Sequence, residues 1–198
     1  MPPTQQLIPV KEIKDGIIML KNGEWRTILI VSSMNFALLS PEEQDAVIYQ
    51  YQNFLNSLDF NIQILIQSRR LNIRGYLKKL TDIEEKQESE LLRVQAKEYR
   101  EFIKSLSEMV NLMSKNFYVV IPFYPLAVGK RKLSPEDFAR YKTQITQRVE
   151  YVIAGLRRTG IHAVQLGTEE IVELLWSYYN PADLEKGEIP AFPSVESF

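Results

Sequence analysis

The chain has 198 residues, 45% apolar and 25% charged, which suits one domain, or one domain with a large excursion, whose core needs no covalent staple. A net charge of −1 excludes a global field toward nucleic acid or an anionic membrane, and the absence of cysteine excludes disulfides, thiolate metal sites and a cysteine nucleophile. No apolar run reaches the ~18 residues of a membrane span, and MPPTQQLIPVKEIKDG lacks the basic start and apolar core of a secretory signal, so a soluble cytoplasmic protein is expected.

After a lead-in over 1–6, residues 7–13 and 16–21 (LIPVKEI, GIIMLK) predict two short strands around Asp15-Gly16, a hairpin dipeptide. Asn22-Gly23 signals a second turn into EWRTILIVSS, completing an N-terminal β-meander over 7–33. Ser40-Pro41-Glu42-Glu43 is a helix start, with an N-cap serine, proline at the first helical position and acids at the positive end of the dipole. Val47, Tyr51, Phe54, Leu55 and Leu58 share one face of that helix. In FNIQILIQS, Phe60, Ile62, Ile64 and Ile66 alternate with Asn61, Gln63 and Gln67, which predicts a strand with one apolar side; Leu65 breaks the alternation and implies partial cover on the other.

Residues 73–115 favour helix and contain no proline. Leu92, Tyr99, Leu106 and Met113 recur every seven residues, with Phe102, Ile103, Met109 and Val110 between them, which predicts a seam against another helix or a sheet. The polar run TDIEEKQESE reads either as a solvated stretch of one long helix or, with a break near Thr81-Asp82, as part of an αα-hairpin. NFYVVIPFYP is a strand ended or edged by its prolines. A loop then leads to a second Ser-Pro-Glu-Asp start and a helix with Phe138, Tyr141, Ile145, Val149, Val152 and Leu156 on one stripe, stopped by Thr159-Gly160. IHAVQLG predicts a short strand, and Thr168 is expected to cap a last helix that ends in Trp176, Tyr178 and Tyr179 before Asn180-Pro181.

The order predicts an α/β (α+β) fold: a β-meander, then alternating strands and helices packed on one mixed sheet, with a long charged helix or αα-hairpin. Residues 26–122 also allow a ferredoxin-like split β-α-β arrangement.

No constellation matches a catalytic site. VGKRKLS has only Gly129, and Lys130 is followed by Arg131, so a phosphate loop is rejected for a solvated basic loop. His162 is the only histidine and stands alone at the head of a strand. The acids at 84, 85, 88 and 90 lie among Lys86, Arg93 and Lys97 as a solvated face. No enzyme activity, cofactor or metal is expected. Basic residues cluster at Arg69-Arg70, Arg74, Lys78-Lys79, Lys130-Arg131-Lys132 and Arg157-Arg158, and they suit protein partners or, alternatively, single-stranded nucleic acid.

Four segments in sequence order carry a resemblance. They are IPVKEIKDGIIMLKNGEWRTILIVSSMNFALLSPEEQDAVIYQYQNFLNSL, FNIQILIQSRRLNIRGYL, NFYVVIPFYP after a long charged helix, and LGTEEIVELLWSYYNP. Together, over about 7–181, they resemble the N-terminal region of the TraC-like conjugation ATPases, the motors of type IV secretion systems. The chain departs from those motors in having no Walker A loop and no acidic Walker B strand, so ATP hydrolysis is not implied. The resemblance implies a single TraC-like N-terminal domain over 1–181, with a helical excursion at about 73–115 and a Pro-rich tail or linker over 182–198. It implies a docking module that binds the motor ATPase or inner-membrane subunits, cytoplasmic and peripheral at the inner face of the membrane. The partner-binding residues expected are Arg69, Arg70, Arg74, Lys130, Arg131, Lys132, Trp176, Tyr178 and Tyr179, with the polar helix 82–101 as a further surface.

Overall fold

The computed structural model describes residues 8–70, 73–110, 113–125 and 134–180. The expectations for the lead-in, for Lys130-Arg131-Lys132 and for the tail from 182 lie outside them. The chain divides into two compact units. One contains the residues up to Gln67 together with Asn116–Leu175; the other contains Ser68–Lys115 together with the end of the last helix from Trp176.

The first unit opens with β1 (Val10–Lys14), β2 (Ile17–Leu20) and β3 (Trp25–Val31), the expected meander. Asp15 and Gly16 both take positive φ, 52° and 72°, the geometry a two-residue hairpin turn requires. Helix α1 (Pro41–Asn56) begins in a full capping box: Ser40 Oγ accepts from Glu43 N–H, and the Glu43 carboxylate accepts from Ser40 N–H. Strands β4 (Gln63–Arg70) and β5 (Met113–Phe123) flank the second unit in sequence, and α4 (Pro135–Arg158), β6 (Ala163–Gln165) and α5 (Thr168–Tyr179) complete the elements of this part of the chain.

The sheet runs β1-β2-β3-β5-β4, with β6 also paired to β3. Thus β3-α1-β4 encloses β5, and β5-α4-β6 encloses β3. Two split β-α-β units interleave in the ferredoxin-like order β6-β3-β5-β4. Every pairing with a defined register is antiparallel, where a mixed sheet was expected. Interleaving is the reason: strands joined through a single helix are never neighbours, so the parallel pair such a crossover normally makes does not form.

One edge of β3 serves two strands. β2 pairs along Trp25 and Arg26, and β6 takes over at Leu29, Ile30 and Val31. At the fork between them Thr27 is fully buried, and its hydroxyl donates to Gly16 O at 3.1 Å and accepts from Gln165 Nε2 at 3.0 Å. Thr168 Oγ1 accepts from Gly16 N–H at 3.1 Å. Thr168 therefore does not cap α5 as expected. Gly167 holds the cap position: its carbonyl accepts from Ile171 N–H, and its N–H donates to the Glu170 carboxylate at 2.7 Å.

Helices cover both sides of the sheet. On one, Leu29, Val119 and Ile121 meet Phe54 of α1 and Val149, Val152 and Leu156 of α4. Toward the meander the same side continues as Ile17, Met19, Trp25 and Phe123 against Tyr141 and Ile145, with Trp25 and Tyr141 edge to face at 5.8 Å. On the other side Ile18, Ile28 and Tyr118 pack on Leu166, Ile171 and Leu174 of the β6–α5 segment. The α1–α4 contact relies on Gly155, where a Cβ would stand 2.2 Å from Phe54 Cδ2.

In the second unit α2 (Arg74–Lys86) and α3 (Glu90–Val110) form a packed αα-hairpin. The break falls at 87–89 rather than near Thr81-Asp82. Thr81 stays helical, with its hydroxyl bonded to Leu77 O, whereas Ser89 O accepts the first helical N–H of α3, from Arg93. Leu80 is buried, and Leu77, Thr81, Glu84, Ala96, Arg100 and Ile103 are half-buried. Arg100 Nη1 lies 3.3 Å from Glu84 Oε2, and also donates to Thr81 Oγ1 at 3.2 Å. The expected heptad is not buried: Leu92, Tyr99 and Leu106 are exposed, and Met113 belongs to β5. Small Ala96 and the Arg100–Glu84 pair are on the helix flank that meets α2, which turns the heptad outward.

Candidate docking surface

Strand β4 is an outer strand of the sheet. Its entry is firmly held. Phe60 and Ile62 pack against the α1–α4 core, and the Arg148 guanidinium of α4 sits 4.6 Å from the centre of the Phe60 ring. Arg148 Nη1 also donates to Pro122 O at 2.7 Å, which ties this point to the end of β5. On the α1 side, the Tyr151 hydroxyl donates to Ser57 O at 3.0 Å, fixing the turn into β4.

Beyond that anchored start the middle of the strand is bare. Ile64, Leu65 and Ile66 retain 55%, 38% and 57% of their surface in solvent. By strand alternation Ile64 and Ile66 share the side of Ile62, and Leu65 points the other way. The one covered apolar side expected for this strand, with partial cover over Leu65, is therefore not what the structure has: both sides of its middle are open. The buried positions of α1 and α4 meet β3 and β5, and α5 covers β2, β3 and β5 on the reverse. The sequence signal was present in Leu65, an aliphatic residue where alternation called for a polar one.

A second, shallow depression of about 290 Å³ lies at the β2–β6 fork, lined by Asp15, Gly16, Gln165, Leu166, Gly167 and Thr168. Its polar groups are used in holding the fork together: Asp15 accepts from Lys142 Nζ at 2.6 Å, and Gly16, Gln165 and Thr168 bond as described above. Among the described residues no group of three or more His, Asp or Glu gathers as a metal site. His162 is exposed, and its backbone pairs with Ser32 at the approach to β6.

Of the partner-binding residues expected from sequence, Lys130, Arg131 and Lys132 lie outside the described residues. The backbone puts Arg69 and Arg70 at the end of β4 and Arg74 at the first position of α2, next in sequence to the bare strand. Trp176 is half-buried in the last turn of α5, and Tyr178 and Tyr179 are exposed. That helix ends where expected, with Asn180 N–H and Nδ2 both donating to Trp176 O. No described helix is long and apolar enough to cross a membrane.

The architecture defines a ferredoxin-like α+β domain with an inserted helical hairpin and an open apolar edge strand. The sequence pattern of the archaeal TraC-like domain matches residues 11–181, and the chain belongs to that family. The family associates it with conjugation and type IV secretion. A comparison with curated proteins finds no match.

Proposed function

We propose that the chain is a non-catalytic docking module of a conjugative DNA-transfer apparatus, binding its motor ATPase or an inner-membrane channel subunit from the cytoplasmic side. The observation that carries this reading is the middle of β4. An outer strand with three consecutive bare aliphatic residues is an aggregation hazard unless something covers it. Proteins that expose such an edge use it to accept a partner strand, whose backbone completes the ladder while alternate side chains fit on both sides. Ile64 and Ile66 on one side and Leu65 on the other supply those contacts.

The test is co-purification of the tagged full chain from donor-cell membrane extracts, beside an Ile64→Lys/Ile66→Lys variant. Both positions are more than half exposed, so the fold tolerates lysine there. The reading expects the motor ATPase or a membrane subunit with the unaltered chain and at least about tenfold less with the variant, each anchor being worth 1.4 kcal/mol or more when buried. Recovery of no apparatus component by the folded, unaltered chain would reject it.

A further inference from the structure

The hairpin of the second unit carries an apolar face that its own two helices leave open. Tyr76 and Ile83 of α2 and Leu92, Tyr99, Phe102 and Leu106 of α3 are all exposed, between 37% and 57%. At 100° per residue they form one stripe beside the α2–α3 seam. The Tyr76 and Tyr99 hydroxyls lie 3.2 Å apart, which places both helices' contributions on the same side. The two hydroxyls also bond to each other, and Gln95, exposed, is a polar position on the same stripe of α3.

Its rims are charged with opposite sign. Lys79 and Lys86, both exposed, follow the stripe on the outer flank of α2, and Glu98, also exposed, follows it on the outer flank of α3. We infer that this face pairs with the same face of a second copy, forming a four-helix bundle in which α2 of each chain lies antiparallel on α3 of the other. Two-fold pairing about an axis along the helices brings each lysine rim onto a glutamate rim. Rotation about the perpendicular axis in the interface would set like charges together, so the rim pattern selects one arrangement. The exposed parts of the six stripe residues amount to about 600 Å² per chain; with the rims added, this approaches the ~800 Å² per partner of a standard interface. The sevenfold recurrence of Leu92, Tyr99 and Leu106 is the spacing helices use to pack in such bundles. This inference goes beyond the docking reading, uses a different surface and stands or falls separately from it.

The test measures molar mass in solution for the full chain by sedimentation equilibrium. The unaltered chain sediments as a dimer, and Phe102→Glu, at an exposed central position, gives a folded monomer. Lys79→Glu/Lys86→Glu alone and Glu98→Lys alone each weaken the dimer by about tenfold or more, because both lysine–glutamate rims turn repulsive. An equimolar mixture of these two variants regains the dimer. A chain that stays monomeric at every accessible concentration, which would mean that its own remainder or another partner covers the stripe, overturns the inference. So does a dimer indifferent to Phe102→Glu, or a variant mixture that does not recover.

Discussion

Gly155→Ala isolates the contact on which the α1–α4 layer rests. A methyl group there would stand 2.2 Å from Phe54 Cδ2 and 2.7 Å from Cε2, against the 3.4–4 Å of ordinary contact. Phe54 is only 5% exposed and is enclosed with Leu29, Val119, Val149 and Val152, so the ring has no free direction of retreat. Overpacking of this kind costs about 1–3 kcal/mol. Alanine's helix propensity returns at most ~1 kcal/mol. The net expectation is destabilisation by about 1–2 kcal/mol, read in urea as a lower midpoint with an unchanged slope. In a Phe54→Ala background all the obstructing ring atoms are gone, and the same Gly155→Ala change becomes neutral or stabilising by up to ~1 kcal/mol. A gain of stability from Gly155→Ala with Phe54 intact would refute the packing, as would equal effects in the two backgrounds.

Other glycines and caps separate in the same assay. Gly16→Ala combines a φ of 72° with a Cβ 2.7 Å from Leu166 O, and destabilises by about 2 kcal/mol or more; Gly75→Ala in α2, with nothing within 4 Å, is neutral or stabilises by a few tenths of a kcal/mol. Ser40→Ala removes one half of the capping box and lowers stability by about 1 kcal/mol. The hydrogen bond to the Tyr99 hydroxyl raises the pKa of Tyr76 above the ordinary tyrosine value of 10.0. What that bond contributes is therefore complete below pH 10 and is lost as pH rises through the raised value. Tyr99→Phe removes the chief cause, and ultraviolet titration of the phenols should show one tyrosine returning toward its usual range; an unchanged titration curve would count against the pair.

Much of the fold was legible because its signals are local. Ser134-Pro135 starts α4 through a side-chain cap to Asp137 N–H, and Tyr141, Ile145, Val149, Val152 and Leu156 are all buried on the stripe that their spacing announced. Asp15-Gly16 made its hairpin, and Asn180 closed α5. Periodicity failed where it had to say what a face meets. Leu55 belongs to the apolar spacing of α1 yet stays 40% exposed, because only the Val47–Tyr51–Phe54–Leu58 side turns toward cover. The α3 heptad did not mark the flank the hairpin buries, since α2 packs on the neighbouring flank of Ala96 and Arg100. Alternation in β4 told which side chains share a side; it held nothing about the strand's place at the rim of the sheet, which depends on β5 inserting between β3 and β4. Thr168 illustrates a further limit. A threonine at a helix start is ordinarily a cap, and only the distant Gly16 N–H draws its hydroxyl away. Of the candidate site, the positions of Arg69, Arg70 and Arg74 beside β4 could be read from order alone, while the bare aliphatic run between Gln63 and Gln67 needed the topology.

DNA-transfer frequency from donor cells carrying Leu65→Lys/Ile66→Lys in place of the unaltered chain tests the docking role most directly, with protein level and circular dichroism as controls for folding. Transfer should fall by at least about tenfold, because the charged edge no longer admits a partner strand. Undiminished transfer with a folded, normally abundant variant would contradict a role for β4 in the apparatus.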